Sequence, residues 1–169
     1  MQQIAIQDAN ILIDLLKTGL FAHCLVLDYQ FMTTDLVFEE LYETQQAEIQ
    51  PHIDSGKFTL IRISKEELVE IQVASLEDKR LSEQDWSTVY YAAKWKTILV
   101  SGDKTLRQLA ELKRIEVHGI FWLLDLLAEN SILANEVCFD FLTSLVAINK
   151  RLPANEIKER QKRWSKSDK

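Results

Sequence analysis

The chain has 169 residues, 47% hydrophobic and 27% charged, a balance that suits one globular domain and excludes a fibrous or low-complexity chain. Its net charge of −6 argues against bulk nucleic-acid binding by charge alone, and Cys24 and Cys138 are too few and too far apart for a metal-ligand pattern or a disulfide framework. No run of about 18 apolar residues reads as a membrane span and no basic segment before a long apolar one reads as a secretory signal, so the expected location is the cytoplasm.

Along the chain the apolar period switches repeatedly between two and 3.6. Residues 3–6 read as a first strand, and 10–17 as a helix with Ile11, Leu12, Leu15 and Leu16 on one face, closed by Gly19. Residues 30–33 form a second strand, and 36–47 a helix that ends before Pro51. Residues 58–63 are the clearest strand, and 65–76 a helix with Leu68, Val69 and Ile71 inward. A helix over 83–95, a strand over 97–100, a helix over 104–112 and a strand over 115–118 follow. Helices over 121–128, 135–148 and after Pro153 complete the chain. This alternation predicts right-handed crossovers and an α/β fold with a parallel sheet covered by helices.

Four carboxylates stand out: Asp8 and Asp103 each follow a short apolar run and open a helical pattern, and Glu40 and Asp85 lie early in helices of their own. In an open parallel sheet the strand ends along one edge converge on the functional crevice, so acids remote in sequence can meet there. Clustered carboxylates repel by roughly 4 kcal/mol per pair at about 4 Å and an effective dielectric near 20. A hard cation with oxygen ligands removes that cost and supplies a catalyst. Each aspartate also has a purely structural reading. Asp103 suits the N-cap of the helix from Lys104, Ser82-Glu83-Gln84-Asp85 is a capping-box pattern, and Asp8 can cap the helix containing Asn10. On a helical wheel Glu40 neighbours Leu36 and Val37, whereas Glu39 shares the polar side of Asp35, Tyr42 and Glu43. A carboxylate against apolar neighbours needs a cation or donors, which favours Glu40 over Glu39 as a ligand. His23, His52 and His118 are scattered, and the four glycines form no phosphate-cradling loop.

The ensemble is more specific than its parts. Strand–Asp8-x-Asn10 precedes Thr33-Thr34-Asp35-x₄-Glu40-Leu41, then Leu81-Ser82-x-x-Asp85-x-Ser87, then Ser101-Gly102-Asp103-Lys104-x-Leu106-Arg107. This order resembles the PIN-domain family of metal-dependent ribonucleases, and most of all its compact branch of VapC-like toxins from type II toxin–antitoxin pairs. Val117-His118-Gly119-Ile120-Phe121-Trp122 and Asn149-Lys150-Arg151-Leu152-Pro153 look like a C-terminal extension found in one branch. The resemblance implies a three-layer α/β/α sandwich in a single domain over 1–169, with 119–169 as its helical extension. It implies Asp8, Glu40, Asp85 and Asp103 as catalytic residues and ligands of Mg²⁺ or Mn²⁺, with Asn10, Thr34 and Ser101 supporting the cleft. It further implies an RNA substrate and a small antitoxin partner. The same motifs suit an RNA-processing nuclease with no toxin role, or a binding module that keeps the fold without catalysis. A phosphoacceptor signalling domain fits poorly: Ala9 follows Asp8, and Val117-His118-Gly119 supplies no lysine.

Two further expectations concern partners. Phe121, Trp122, Leu123, Leu124, Leu126 and Leu127 offer more apolar surface than one helix stripe needs, which predicts a homodimer. Residues 150–169 carry eight Lys or Arg against three acids, +5 within a chain of −6. Arg151, Lys158, Arg160, Lys162, Arg163 and Lys166, with Trp164 as a stacking platform, form a candidate RNA contact. The structural alternative is a helix docked through Ile157 and Trp164.

Overall fold

The computed structural model describes residues 1–165; Lys166, Asp168 and Lys169 of the basic tail lie outside the described residues. The chain divides into two compact units, 1–13 with 28–120, and 14–27 with 121–169.

The first unit is built on a five-stranded sheet in the order β3-β2-β1-β4-β5. Its strands are β1 (Gln3–Gln7), β2 (Tyr29–Thr34), β3 (Thr59–Ile61), β4 (Ile98–Val100) and β5 (Val117–His118). Every pairing is parallel, with Ile6 opposite both Met32 and Leu99. The α/β class with a central parallel sheet is therefore as the alternation predicts. The chain steps outward from β1 through β2 to β3, then crosses to β4 on the other side of β1. The strand order thus reverses between β1 and β4, and the crevice at such a point is where α/β sheets bind ligands.

Helix α1 (Ala9–Thr18) leaves β1 and ends at Gly19, whose φ of +79° is the left-handed turn a glycine adopts without strain. The short α2 (Phe21–Cys24) has no counterpart among the predicted elements. The helix expected over 36–47 is two helices, α3 (Asp35–Glu40) and α4 (Glu43–Asp54), parted by extended backbone at Leu41 and Tyr42. Gln45 accepts from the Tyr42 N–H at 3.0 Å and starts the second helix. That helix runs through Pro51, held by the fully buried Ile49. Helices α5 (Lys65–Ala74) and α6 (Glu83–Trp95) each open on a capping box, Ser64 with Glu67 and Ser82 with Asp85. Helix α7 (Lys104–Leu112) is N-capped by Asp103.

One face of the sheet carries the core of this unit. Ile6, Met32 and Leu99 meet Trp86 and Val89 of α6, Leu106 and Ala110 of α7, and Ile71 of α5. Val69, expected inward on α5, is exposed at 58% because Ile71 alone takes the buried stripe there.

The second unit contains α8 (Ile120–Glu129, from Phe121), α9 (Asn135–Ile148) and α10 (Ala154–Trp164). Arg160 is buried and grips Asp125 of α8 with Nε at 2.9 Å and Nη2 at 2.5 Å, its guanidinium 4.5 Å from the Phe121 ring centre. Arg163 pairs with Asp125 and Glu159, and Trp164 is 2% exposed. Trp164 is therefore a packing residue and not a stacking platform, and Arg160 is committed to Asp125. Phe121, Leu123, Leu124 and Leu127 are likewise buried within the chain, so most of the apolar surplus in this helix is already consumed. Among the described residues no helix is long and apolar enough to cross a membrane.

Candidate functional site

The ends of β1, β2 and β4 deliver three polar stretches to the strand-order reversal. Asp8 follows β1 directly, and its N–H donates to the Val100 carbonyl at 3.1 Å, extending the β1–β4 ladder by one residue. Its Oδ1 accepts from the Ile11 N–H at 2.9 Å, capping α1. Its Oδ2 is held by the Ser101 hydroxyl in a short hydrogen bond. Ser101 in turn accepts from the Asp103 N–H at 3.1 Å, so one hydroxyl ties the end of β1 to the loop before α7.

Asp103 caps α7 by accepting from Leu106 N–H at 2.8 Å. Asp85, in the first turn of α6, accepts from the Ser82 N–H at 3.0 Å and hydroxyl at 2.9 Å. Thr34 ends β2 and caps α3 by accepting from Val37 N–H at 3.2 Å. Its hydroxyl lies 2.7 Å from that of Ser87, which donates to the Gln84 carbonyl at 2.6 Å. Each hydroxyl has one proton, so Thr34 donates to Ser87 and locks the start of α6 to the end of β2. The sequence motif includes Ser87 in Asp85-x-Ser87 but gives it no role; in the structure it is buried and tied to Thr34.

The three aspartates thus do the capping that the sequence assigns them, but capping does not account for Asp8. Asp8 is 2% exposed, and its carboxyl is pushed from 3.8 up to about 7. Desolvation is the main cause, with the charges of Asp85 and Asp103 adding to it, against the lowering effect of the Ser101 and Ile11 hydrogen bonds. A neutral Ser or Asn caps a helix as well and carries no buried charge. A buried residue that costs stability where a neutral one serves is a candidate functional group.

Glu40, at the end of α3, is exposed, as is Glu39; the wheel's apolar backing does not bury it. Its carboxyl is raised by partial desolvation and then by Asp85, which makes it a neighbour of the aspartates. Repulsion therefore links Glu40 to Asp85, and Asp85 and Asp103 to Asp8. Asn10 is exposed, with no side-chain hydrogen bond to these acids among the described residues.

The acids are neighbours without forming a finished cage. Among the described residues no group of three or more His, Cys, Asp or Glu stands ready to hold a metal ion. Asp85 and Asp103 are turned back onto their own helix starts. The donor set nonetheless fits a hard cation. It is all oxygen, it is acidic, and among the described residues its buried member has no cationic partner.

A sequence profile of the family DUF3368, described as a PIN domain, matches residues 4–166. No curated protein matches. Among the solved structures is the crystal structure of PAE2754 from Pyrobaculum aerophilum, 19% identical, covering 76% of this chain and 99% of that one at a TM-score of 0.50. That likeness concerns the fold alone.

Proposed function

Since the chain belongs to the PIN-domain family, whose members are generally metal-dependent nucleases, we propose that it is a Mg²⁺- or Mn²⁺-dependent endoribonuclease with Asp8, Glu40, Asp85 and Asp103 as its ligands. One observation carries the reading: a buried aspartate at the strand-order reversal, kept at a cost in stability, with two further acids raising its pKa. When bound, the ion supplies an activated water and neutralises charge on the scissile phosphate and the leaving oxygen. The protein's own residues orient the acids. Ser101 fixes the rotamer of Asp8, Ser82 holds Asp85, and the Thr34–Ser87 pair sets α6, which carries Asp85, against β2. Asp8 changes protonation near neutral pH, so cation binding at Asp8 releases a proton there.

The finer reading, the toxin of a type II pair with a small antitoxin, is supported by the order and spacing of the motifs. A small reading frame abutting this gene would favour it over a stand-alone RNA-processing nuclease. The direct test is cleavage of single-stranded and structured RNA with Mg²⁺, Mn²⁺ or chelator, together with melting curves. Either ion should raise the melting temperature by mass action. Asp8→Asn and Asp103→Asn should abolish cleavage and shrink that rise. Cleavage by both variants at the parental rate means the site is elsewhere.

A further inference from the structure

The first turn of α7 aims a cation at the acids without giving it to any of them. Arg107 lies one turn beyond Asp103, its N–H donating to the Asp103 carbonyl at 3.0 Å. Long helical side chains lean back toward the helix N-terminus, which directs this one to the end where Asp103 and Ser101 stand. An Asp and an Arg four apart are placed to pair across the turn. Here they do not: among the described residues Arg107 has no salt bridge and no side-chain hydrogen bond. Its Nη1 lies instead against Gly119, 3.0 Å from where a Cβ on that residue would stand, with the Ser101 carbonyl oxygen 3.9 Å from the same point. Gly119 follows β5, whose His118 carbonyl accepts from the Ser101 N–H at 2.9 Å. The guanidinium therefore rests on backbone beside the residue that holds Asp8. The backbone at Gly119 lies outside the left-handed region, so its conformation admits any residue. What asks for glycine there is room for Arg107.

We propose that Arg107, seated on Gly119, is a phosphate-binding residue that takes a non-bridging oxygen of the RNA strand entering the acidic cleft; this rests on the nuclease reading above. A guanidinium fork matches a phosphate in two parallel hydrogen bonds. The four acids and a net charge of −6 repel a polyanion. A rim cation that pairs with none of the acids offsets that repulsion and leaves the ligand set intact. Its half-buried seat restricts the rotamers it must give up on binding.

The test is equilibrium binding of a short single-stranded RNA in Ca²⁺, across a salt series, beside cleavage in Mg²⁺. Arg107→Gln should weaken binding by about tenfold to a hundredfold. It should also flatten the slope of log K against log salt by about 0.7, the value of one single-strand phosphate contact. The metal-induced rise in melting temperature should stay parental. Arg107→Lys should keep the slope and lose part of the affinity. Gly119→Ala, which displaces only a side-chain end, should keep the melting temperature and bind RNA less tightly; it carries the test should the Gln variant not fold. Parental affinity and slope in Arg107→Gln and Gly119→Ala, with parental cleavage intact, overturn the phosphate contact alone. A parent that binds no RNA overturns both readings. A parent whose binding depends on Arg107 but which never cleaves keeps the contact and removes the nuclease.

Discussion

Replacing Asp8 by Asn should make the protein more stable at neutral pH when divalent ions are chelated. The Asp8 carboxyl titrates at about 7 in the folded chain, against 3.8 as its ordinary value. Between those values the native state holds a proton that the unfolded state has lost, so stability is full below about pH 4 and falls as pH rises toward 7. Three pH units at about 1.4 kcal/mol each give a loss on the order of 4 kcal/mol. Asp8 is 2% exposed, so water screens little of this. Glu40 is raised too and acts in the same direction. Glu67 and Asp78, each lowered to about 2 by hydrogen bonds from Lys94 and Arg80, act oppositely and only below about pH 4.5. Asn keeps an oxygen for the Ile11 N–H and has no charge to desolvate. Urea unfolding from pH 4.5 to 8 in chelator should show the parent losing stability with pH more steeply than Asp8→Asn, which keeps only the upward shifts of Glu40 and Asp14. The two curves should converge at the acid end. Adding Mg²⁺ at pH 7.5 should narrow or reverse the gap, since the parent has the stronger ion site. Parallel curves for parent and variant across the range would falsify the assignment of a neutral-pH titration to Asp8.

Two more outcomes test the neighbouring assignments. Glu40→Gln should cut cleavage far more than Glu39→Gln, because Glu40 feels the charge of Asp85; initial rates in Mg²⁺ decide, and the reverse order removes Glu40 from the site. Trp164→Ala should destabilise the chain by about 3 kcal/mol or more through the lost burial of a 2%-exposed indole, and Arg160→Ala by less, because Arg163 still reaches Asp125 when the two Arg160 bonds are gone; an unchanged denaturation midpoint in both would show that α10 is not docked as described.

Much of the local structure was legible in the sequence because its signals are local. The bounds of α6 and α7 follow from Ser82 with Asp85 and from Asp103, side chains that satisfy the free N–H groups of their own helix starts. The order of the acid motifs carries the family. The break at Leu41 and the run of α4 through Pro51 were not legible, since they go with the burial of Leu41 and Ile49, which tertiary context sets and local propensity does not. Nor could spacing give the strand order β3-β2-β1-β4-β5, which alone sets Asp8 beside Ser101, 93 residues away. A helical wheel likewise cannot show that Asp8 is desolvated, that Arg107 leans on Gly119 and leaves Asp103 unpaired, or that Arg160 and Trp164 are buried in the second unit. The sequence by itself determined the alternation of strands and helices and the starts of α6 and α7, and so that Asp85 and Asp103 stand at helix starts, because capping and periodicity act within a few residues. Only the tertiary structure decided which of those groups lose water and which charges face one another, because desolvation and Coulomb interaction depend on distance in space and not along the chain.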